Sequence, residues 1–249
     1  YSLAACNDVG CIRLNDMMKE FEIKDLNELS NFIYKKSVNA VKKEINKIPN
    51  GVYKNSMIID GFEAPVKLNA SLTVKDNNIS MDYTGTSKKS QFGINVPLSY
   101  TRAYTGFGLS CLISPEVPNN AGSLSPYDIN SPEGTILNAK YPASVCARHV
   151  IGQMLPDVVF GCLEKAIPDL VPAEGASCLW NLTFRGLQKD NKTIFAITAV
   201  TNGGTGARPS KDGLSATAYP SGVKGTPVEI NEAVAPLLFL KKVYSLECQ

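Results

Sequence analysis

The only histidine of the chain, His149, directly follows Arg148 and stands ahead of an apolar run in NAKYPASVCARHVIGQMLPDVVFGCL, residues 138–163. Arg148 can present a planar fork of donors to a carboxylate or phosphate, and His149 can take or give a proton near neutral pH. If a helix begins near Ala147, both lie in its first turn, where the helix dipole favours neutral histidine and attracts an anion. The same pair also serves elsewhere as surface decoration or as a capped contact. A second candidate is TNGGTGARPSKDG, residues 201–213, with Gly203, Gly204 and Gly206 ahead of Arg208 and with Asp212 beyond it. Glycines there let the backbone approach a ligand or a neighbouring chain, although a long hairpin connection needs them too. The third is residues 84–102, where Asn95 and Pro97 precede a predicted helix whose first amides could hold an anion. Arg102 lies just inside that helix, and the plainer use of Asn95 is to cap a turn. Arg148 and His149 are therefore the catalytic candidates. Asn95, Arg102, Arg208 and Asp212 are the substrate-binding ones.

A lone histidine cannot build a histidine-cluster metal site, so a metal would need carboxylates or ligands from elsewhere. The chain has no GxGxxG, no Walker A sequence, no HExxH and no GxSxG, and so shows no nucleotide loop of its own.

The elements that must position these residues follow from periodicity. Residues 1–18 carry helix-like apolar spacing at Leu3, Cys6, Gly10, Ile12, Leu14, Met17 and Met18, as if opening inside an element. DLNELSNFIYKKSVNAVKKEINKI spaces Leu26, Leu29, Phe32, Ile33, Val38, Val41 and Ile45 as an amphipathic helix, with Asp25 as cap and PNG as stop. Phe32, Val41 and Ile45 are expected on one buried face. The period then becomes two: Val66, Leu68, Ala70, Leu72 and Val74 line one strand face, and Ile79, Met81 and Tyr83 line the next. The turn KDNN makes this an antiparallel hairpin, extended by a strand near residues 52–59.

Residues 98–113 predict a mostly buried helix. The stretch 114–142, punctuated by Pro115, Pro118, Gly122, Pro126, Pro132, Gly134 and Pro142, predicts an extended belt ordered by what it packs against. VIGQMLPDVVFGCLEKAI predicts a helix bent or restarted at Pro156, with Val150, Ile151, Met154 and Val158 on its buried side. SCLWNLTFRG and KTIFAITAVT predict two strands joined by LQKDN, and the last residues predict a short strand, a connector and a final strand. The order fits an α+β class, with mixed helices and antiparallel sheet, as part of a larger multi-domain subunit. Three segments are expected: helical at 1–50, β-hairpin at 51–96, and mixed at 97–249 with loops at 114–149 and 201–225.

Composition narrows the function. The chain has 249 residues, 44% of them hydrophobic, and a formal net charge of +2 from 25 basic and 23 acidic side chains. That balance predicts neither nucleic acid nor an anionic membrane as partner. No apolar run reaches the roughly 20 residues of a membrane-spanning helix. The seven cysteines fall in no zinc-finger or CxxC spacing and are expected as buried free thiols in a reducing, cytoplasmic setting.

Six strings in fixed order then identify a resemblance: LAACNDVGCIRL, MDYTGTSKKSQFGINVPLSYTRAYTGFGLSCLI, PNNAGSLSPYDINSPEGTILNAKYPASV, DVVFGCLEKAIPD, GGTGARPSKDG and TPVEINEAVAPL. Together they resemble the B component of the hydantoinase and 5-oxoprolinase family, related to the large subunits of ATP-dependent ketone carboxylases. Members run to about twice this length, and the match corresponds to their second half. The resemblance implies a partner A component similar to sugar-kinase or actin-type ATPases, which binds ATP and phosphorylates the substrate oxygen. It also implies a divalent metal held by aspartate and histidine ligands in the N-terminal half of the B component, none of which maps onto this chain; His149 is not such a ligand. On this resemblance the expected function is a component of an ATP-dependent cyclic amide hydrolase within a hetero-oligomer. A component of an ATP-dependent ketone carboxylase and a non-catalytic assembly module are the alternatives. At CARHV the chain departs from a Gly-Asn-containing sequence found in many members, which leaves the substrate open.

Overall fold

The structure is a computed structural model that describes residues 1–176, 179–223 and 225–240. Its centre is the period-two sequence. Strands β1 (Gly51–Ile59), β2 (Val66–Lys75) and β3 (Asn78–Asp82) form an antiparallel meander, and β4 (Tyr127–Asn130) adds to β3 in parallel, giving the order β1-β2-β3-β4. Asp76 and Asn77, with φ of 51° and 59°, make the two-residue turn between β2 and β3. Two left-handed residues match the twist of a tight hairpin, and Asp and Asn tolerate that conformation. Val66, Leu68, Ala70, Leu72, Val74, Ile79 and Met81 are buried on the inner face.

Three helices cover that face. Helix α2 (Leu26–Ile45) starts where the Asp25 carboxylate accepts from the Asn27 amide at 3.0 Å. Val41 and Ile45 are fully buried, whereas Phe32 is 58% exposed, so the expected three-residue face is two turns long and begins after Phe32. Helix α3 (Leu98–Ile113) packs on α6 (Leu155–Leu163), and α6 packs on β1 and β2. Helix α4 (Ala121–Leu124) rides on α2: Asn120 caps it and donates to Ser37 Oγ at 2.9 Å, and a side chain at Gly122 would strike Tyr34 O at 2.5 Å. One hydrophobic core runs from Val41 to Leu163, drawing on all three expected segments.

The proline-rich belt is ordered by stitching rather than by regular structure. Val96 donates to Ile136 O at 2.8 Å, Ile136 to Ser87 O at 2.9 Å and Ala139 to Val96 O at 3.1 Å. Ile136 and Leu137 are thereby fully buried.

Outside this core, α1 (Ser2–Glu20) forms as its spacing predicts but has no buried residue. Strands β5 (Leu179–Leu187) and β6 (Ile194–Asn202) pair as a separate antiparallel sheet. Residues predicted as a short strand near the end form helix α7 (Val228–Val234) instead. Its sequence VEINEAV is compatible with either period, and Pro227 just before it suits a helix start. The predicted final strand falls mostly on residues 241–249, outside the described residues. Of the described cysteines, Cys6, Cys11, Cys111 and Cys146 are exposed free thiols and only Cys162 is buried, which corrects the expectation of burial. No helix of the described residues is long and apolar enough to cross a membrane.

Candidate functional site

The helix expected after residue 147 is built in two pieces. Arg148 precedes a single turn, α5 (His149–Gly152), and the chain restarts as α6 with Pro156 in its first turn. Proline supplies no N–H there and is tolerated for that reason. One four-residue turn has no macrodipole of consequence, so the dipole expected to act on His149 is absent; other forces act in its place.

Arg148 is exposed. Its Nη1 donates to Val145 O at 3.3 Å, and its guanidinium carbon lies 5.6 Å from the centroid of the Tyr100 ring. Tyr100 in turn stacks on Tyr104, with centroids 4.4 Å apart. The guanidinium is thus seated on an aromatic platform with donors left over. Burial first, then the neighbouring Tyr104, raise the Tyr100 phenol, and Arg148 opposes them.

His149 is half-buried, and its Nε2 lies 3.2 Å from Asn181 Nδ2 on β5. A carboxamide nitrogen only donates, so Nε2 accepts and the ring proton resides on Nδ1. Desolvation first, and the Arg148 charge second, hold the imidazole below its ordinary pKa. Geometry and electrostatics agree on a neutral ring.

One turn further, the same helical run buries polar groups that the core does not require. Gln153 is 2% exposed, and its Nε2 donates to Ser221 Oγ at 3.1 Å. Ser221 Oγ also meets the Tyr104 hydroxyl. Asp157 is 1% exposed. Both of its carboxylate oxygens, Gln153 Oε1 and the Tyr219 hydroxyl have no hydrogen-bond partner. Burial, followed by the charge of Glu174, pushes the Asp157 carboxyl up to about 7. Gly175 N–H and the Tyr219 hydroxyl lie close enough to oppose that shift, yet neither closes a hydrogen bond of ordinary geometry. Tyr219 is raised as well, by burial and then by Asp157.

The glycine-rich stretch approaches backbone, and the backbone is its own. Ala173 donates to Ala207 O at 2.8 Å and Ala176 to Gly204 O at 3.3 Å. A side chain at Gly206 would stand 2.0 Å from Ala173 O, and Gly204 has a φ of +104° that L residues rarely adopt. The loop therefore clamps residues 173–176, the segment that brings Glu174 and Gly175 beside Asp157.

The six sequence candidates separate in space. Arg148 and His149 share the site just described. Arg208 and Asp212 are exposed in one turn, where Arg208 Nη2 and Nε donate to Asp212 O at 3.0 and 3.4 Å. Arg102 donates through Nε to Ile129 O at 3.1 Å and lines a separate cleft of about 320 Å³ with Asp128 and Tyr127. Asn95 is fully buried. Its Oδ1 accepts from Ser90 N at 2.8 Å, and its Nδ2 faces the carbonyls of Ser90, Phe92 and Ser144 at 2.9, 2.9 and 3.0 Å. With every polar atom engaged by backbone, Asn95 clamps the loop at residues 90–95 to residue 144. Sequence reasoning passed over Gln153, Asp157, Tyr219 and Ser221. The signal was present: an aspartate inside LPDVVFGCL sits where charged side chains are almost never fully buried unless paired. Among the described residues no group of three or more His, Cys, Asp or Glu is placed to hold a metal ion, so an ion would have to draw on amide, hydroxyl or carbonyl oxygens.

Fold and site together define an α+β protein whose unexplained polar groups converge on one interrupted helix beneath an exposed hairpin. The sequence model of the family described as Hydantoinase B/oxoprolinase matches residues 1–246. The chain belongs to that family. It is 25% identical over 245 residues to the B component of a putative D-/L-hydantoinase of Pseudomonas sp. (strain NS671), a match covering 92% of this chain and 41% of that protein. It is 24% identical over 249 residues to 5-oxoprolinase 1 of Arabidopsis thaliana, covering 94% and 19%. In fold it is similar to an ATP-dependent caprolactamase from Pseudomonas jessenii, with a TM-score of 0.79 at 20% identity, covering 94% of this chain and 42% of that one. It is also similar in fold to nucleotide-free acetone carboxylase, with a TM-score of 0.65 at 17% identity, covering 80% and 30%. The chain spans less than half the length of each of these four proteins.

Proposed function

We propose that this chain is a component of an ATP-dependent cyclic amide hydrolase of the hydantoinase and 5-oxoprolinase type, acting on a substrate whose amide oxygen a partner ATPase has phosphorylated. The observation that carries the reading is the family match along residues 1–246. Phosphorylation converts a poor electrophile into a good one, and the remaining work is to hold an anion and move a proton. Arg148, with free donors above the Tyr100 ring, suits the anion. A neutral imidazole is the form that takes a proton from an attacking water, and for His149 to do so the water must replace Asn181 Nδ2 as the hydrogen-bond donor to Nε2. ATP belongs to the partner in this reading, and the divalent metal implied by the resemblance belongs to the N-terminal half of the B component. The test is an assay of the complete A and B components together with 5-oxoproline, hydantoins and lactams. Coupled ATP consumption and ring opening supports the reading; ATP turnover without ring opening across that panel overturns it.

A second reading, a non-catalytic assembly module, is favoured by two observations: α1 buries nothing, and the β5–β6 hairpin leaves Trp180 61% and Ile194 61% exposed. A purified chain that stays monomeric and stable would count against that reading.

A further inference from the structure

The buried cluster at the start of α6 holds oxygen atoms that the proposed reaction does not use. Gln153 and Asp157 stand one helical turn apart, and both reach residues 219–221: Gln153 through Ser221, Asp157 beside Tyr219. Four oxygen atoms there are buried without a partner: Asp157 Oδ1 and Oδ2, Gln153 Oε1 and the Tyr219 hydroxyl. A second carboxylate, Glu174, acts on Asp157 from the strap held by the glycine-rich loop, and Glu174 is exposed. Among the described residues no cationic side chain is one of the groups that influence Asp157. An ionised carboxylate in such a place is stable only with a compensating ion or a proton.

The geometry points to a binding site for a hard divalent cation, formed by Asp157, Gln153 Oε1 and the Tyr219 hydroxyl in the interior, with Glu174 at the solvent end. The donors are all oxygen, the chemistry that selects magnesium, calcium or manganese over zinc or copper. Glu174 supplies a charged entrance from the surface. The position also gives the ion a structural consequence: it would tie α6 to residues 173–176 and to residues 219–221, the two loop segments that bring Glu174 and Tyr219 to it. The inference does not depend on which amide the enzyme opens, because it concerns the loops behind His149 and not the reacting atoms.

The experiment treats the 249-residue chain with a chelator and then titrates it separately with Mg²⁺, Ca²⁺ and Tb³⁺, reading the thermal midpoint for the first two and tyrosine-sensitised emission for the third. The expected result is a saturable rise in midpoint with Mg²⁺ or Ca²⁺ and saturable Tb³⁺ emission, since Tyr219 adjoins the site. Asp157→Asn should abolish both, and Glu174→Gln should weaken the apparent affinity about tenfold, or about 1.4 kcal/mol. Absence of any midpoint rise with Mg²⁺ and Ca²⁺, or the same response in Asp157→Asn as in the parent chain, overturns the site and leaves Asp157 neutralised by a proton alone. Should Asp157→Asn fail to fold, Glu174→Gln decides, because its side chain is exposed: a response equal to that of the parent chain overturns the proposal.

Discussion

Asn181 Nδ2 and His149 Nε2 stand 3.2 Å apart, so the exposed β5–β6 hairpin reaches back and fixes the tautomer of the only imidazole in the chain. The contact spans two parts of the fold that share no hydrophobic core. It follows that Asn181→Ala should raise the pKa of His149 toward that of an unfolded histidine, because the hydrogen bond to the neutral form is lost. A proton-NMR titration of the single histidine measures this directly. In the assembled enzyme His149→Gln should lower turnover by roughly 10²–10⁴ while assembly is retained. An unchanged rate with lowered stability would return His149 to a packing role.

Arg208 is exposed and already donates to Asp212 O, so its guanidinium closes a turn whether or not it meets an anion. Arg208→Lys should change stability by no more than about 0.5 kcal/mol, as expected of a surface substitution. If the fork also holds a substrate anion, kcat/KM of the assembled enzyme should fall about tenfold, because a lysine cannot reproduce two parallel donors. Equal kinetics would confine Arg208 to the turn.

Gly152 faces the Tyr100 ring, and an added Cβ would stand 2.3 Å from Cε1 and 2.6 Å from Cδ1. The ring cannot swing aside freely, since it is stacked on Tyr104 and capped by Arg148. Gly152→Ala should therefore cost roughly 1–3 kcal/mol in a denaturant titration and displace Arg148 from its platform. A variant as stable as the parent would show the stack to be loose.

Helix α2 separates burial from periodicity. Ile45→Ala should cost about 2–5 kcal/mol because the side chain is fully enclosed, while Phe32→Ala should cost less than about 1 kcal/mol. Equal losses from the two, measured by urea unfolding, would contradict the described packing. Phe32 also shows what periodicity leaves unspecified. Three-to-four spacing gives the face of a helix, but which turns of that face meet a neighbour depends on where β3 and α4 lie.

The alternation at residues 66–74 and 79–83 disclosed the sheet and its register, since period two has a single buried solution. The addition of β4 in parallel was not legible, because four residues inside a proline-rich belt show no period of their own. Arg148 and His149 were legible as residue types. Their neutral-ring geometry was not, because Asn181 lies 32 residues away on a strand. Gln153 and Asp157 looked like part of an apolar helix, and only the placement of residues 173–176 and 219–221 around them reveals a polar cluster.

That cluster has a pH signature. The Asp157 carboxyl is raised from 3.8 to about 7 in the folded chain, burial being the larger cause and Glu174 the smaller. Between those two values the folded state holds a proton that the unfolded state has released, so folding is favoured at the acid end and stability is lost as pH rises toward 7. With a chelator present, the chain should lose roughly 1–3 kcal/mol between about pH 4 and about pH 7 from this group. His149 acts in the opposite sense: its folded pKa is depressed, so its contribution falls as pH drops below the ordinary histidine value. Asp157→Asn separates the two, because it removes the downward slope toward neutral pH and leaves the histidine slope in place. Urea unfolding across that range, with and without Mg²⁺, measures both. A parent chain whose stability does not decline toward neutral pH in chelator would mean that hydrogen bonds to Gly175 or Tyr219 close in solution and hold Asp157 ionised, and Asp157 would then be an ordinary buried carboxylate.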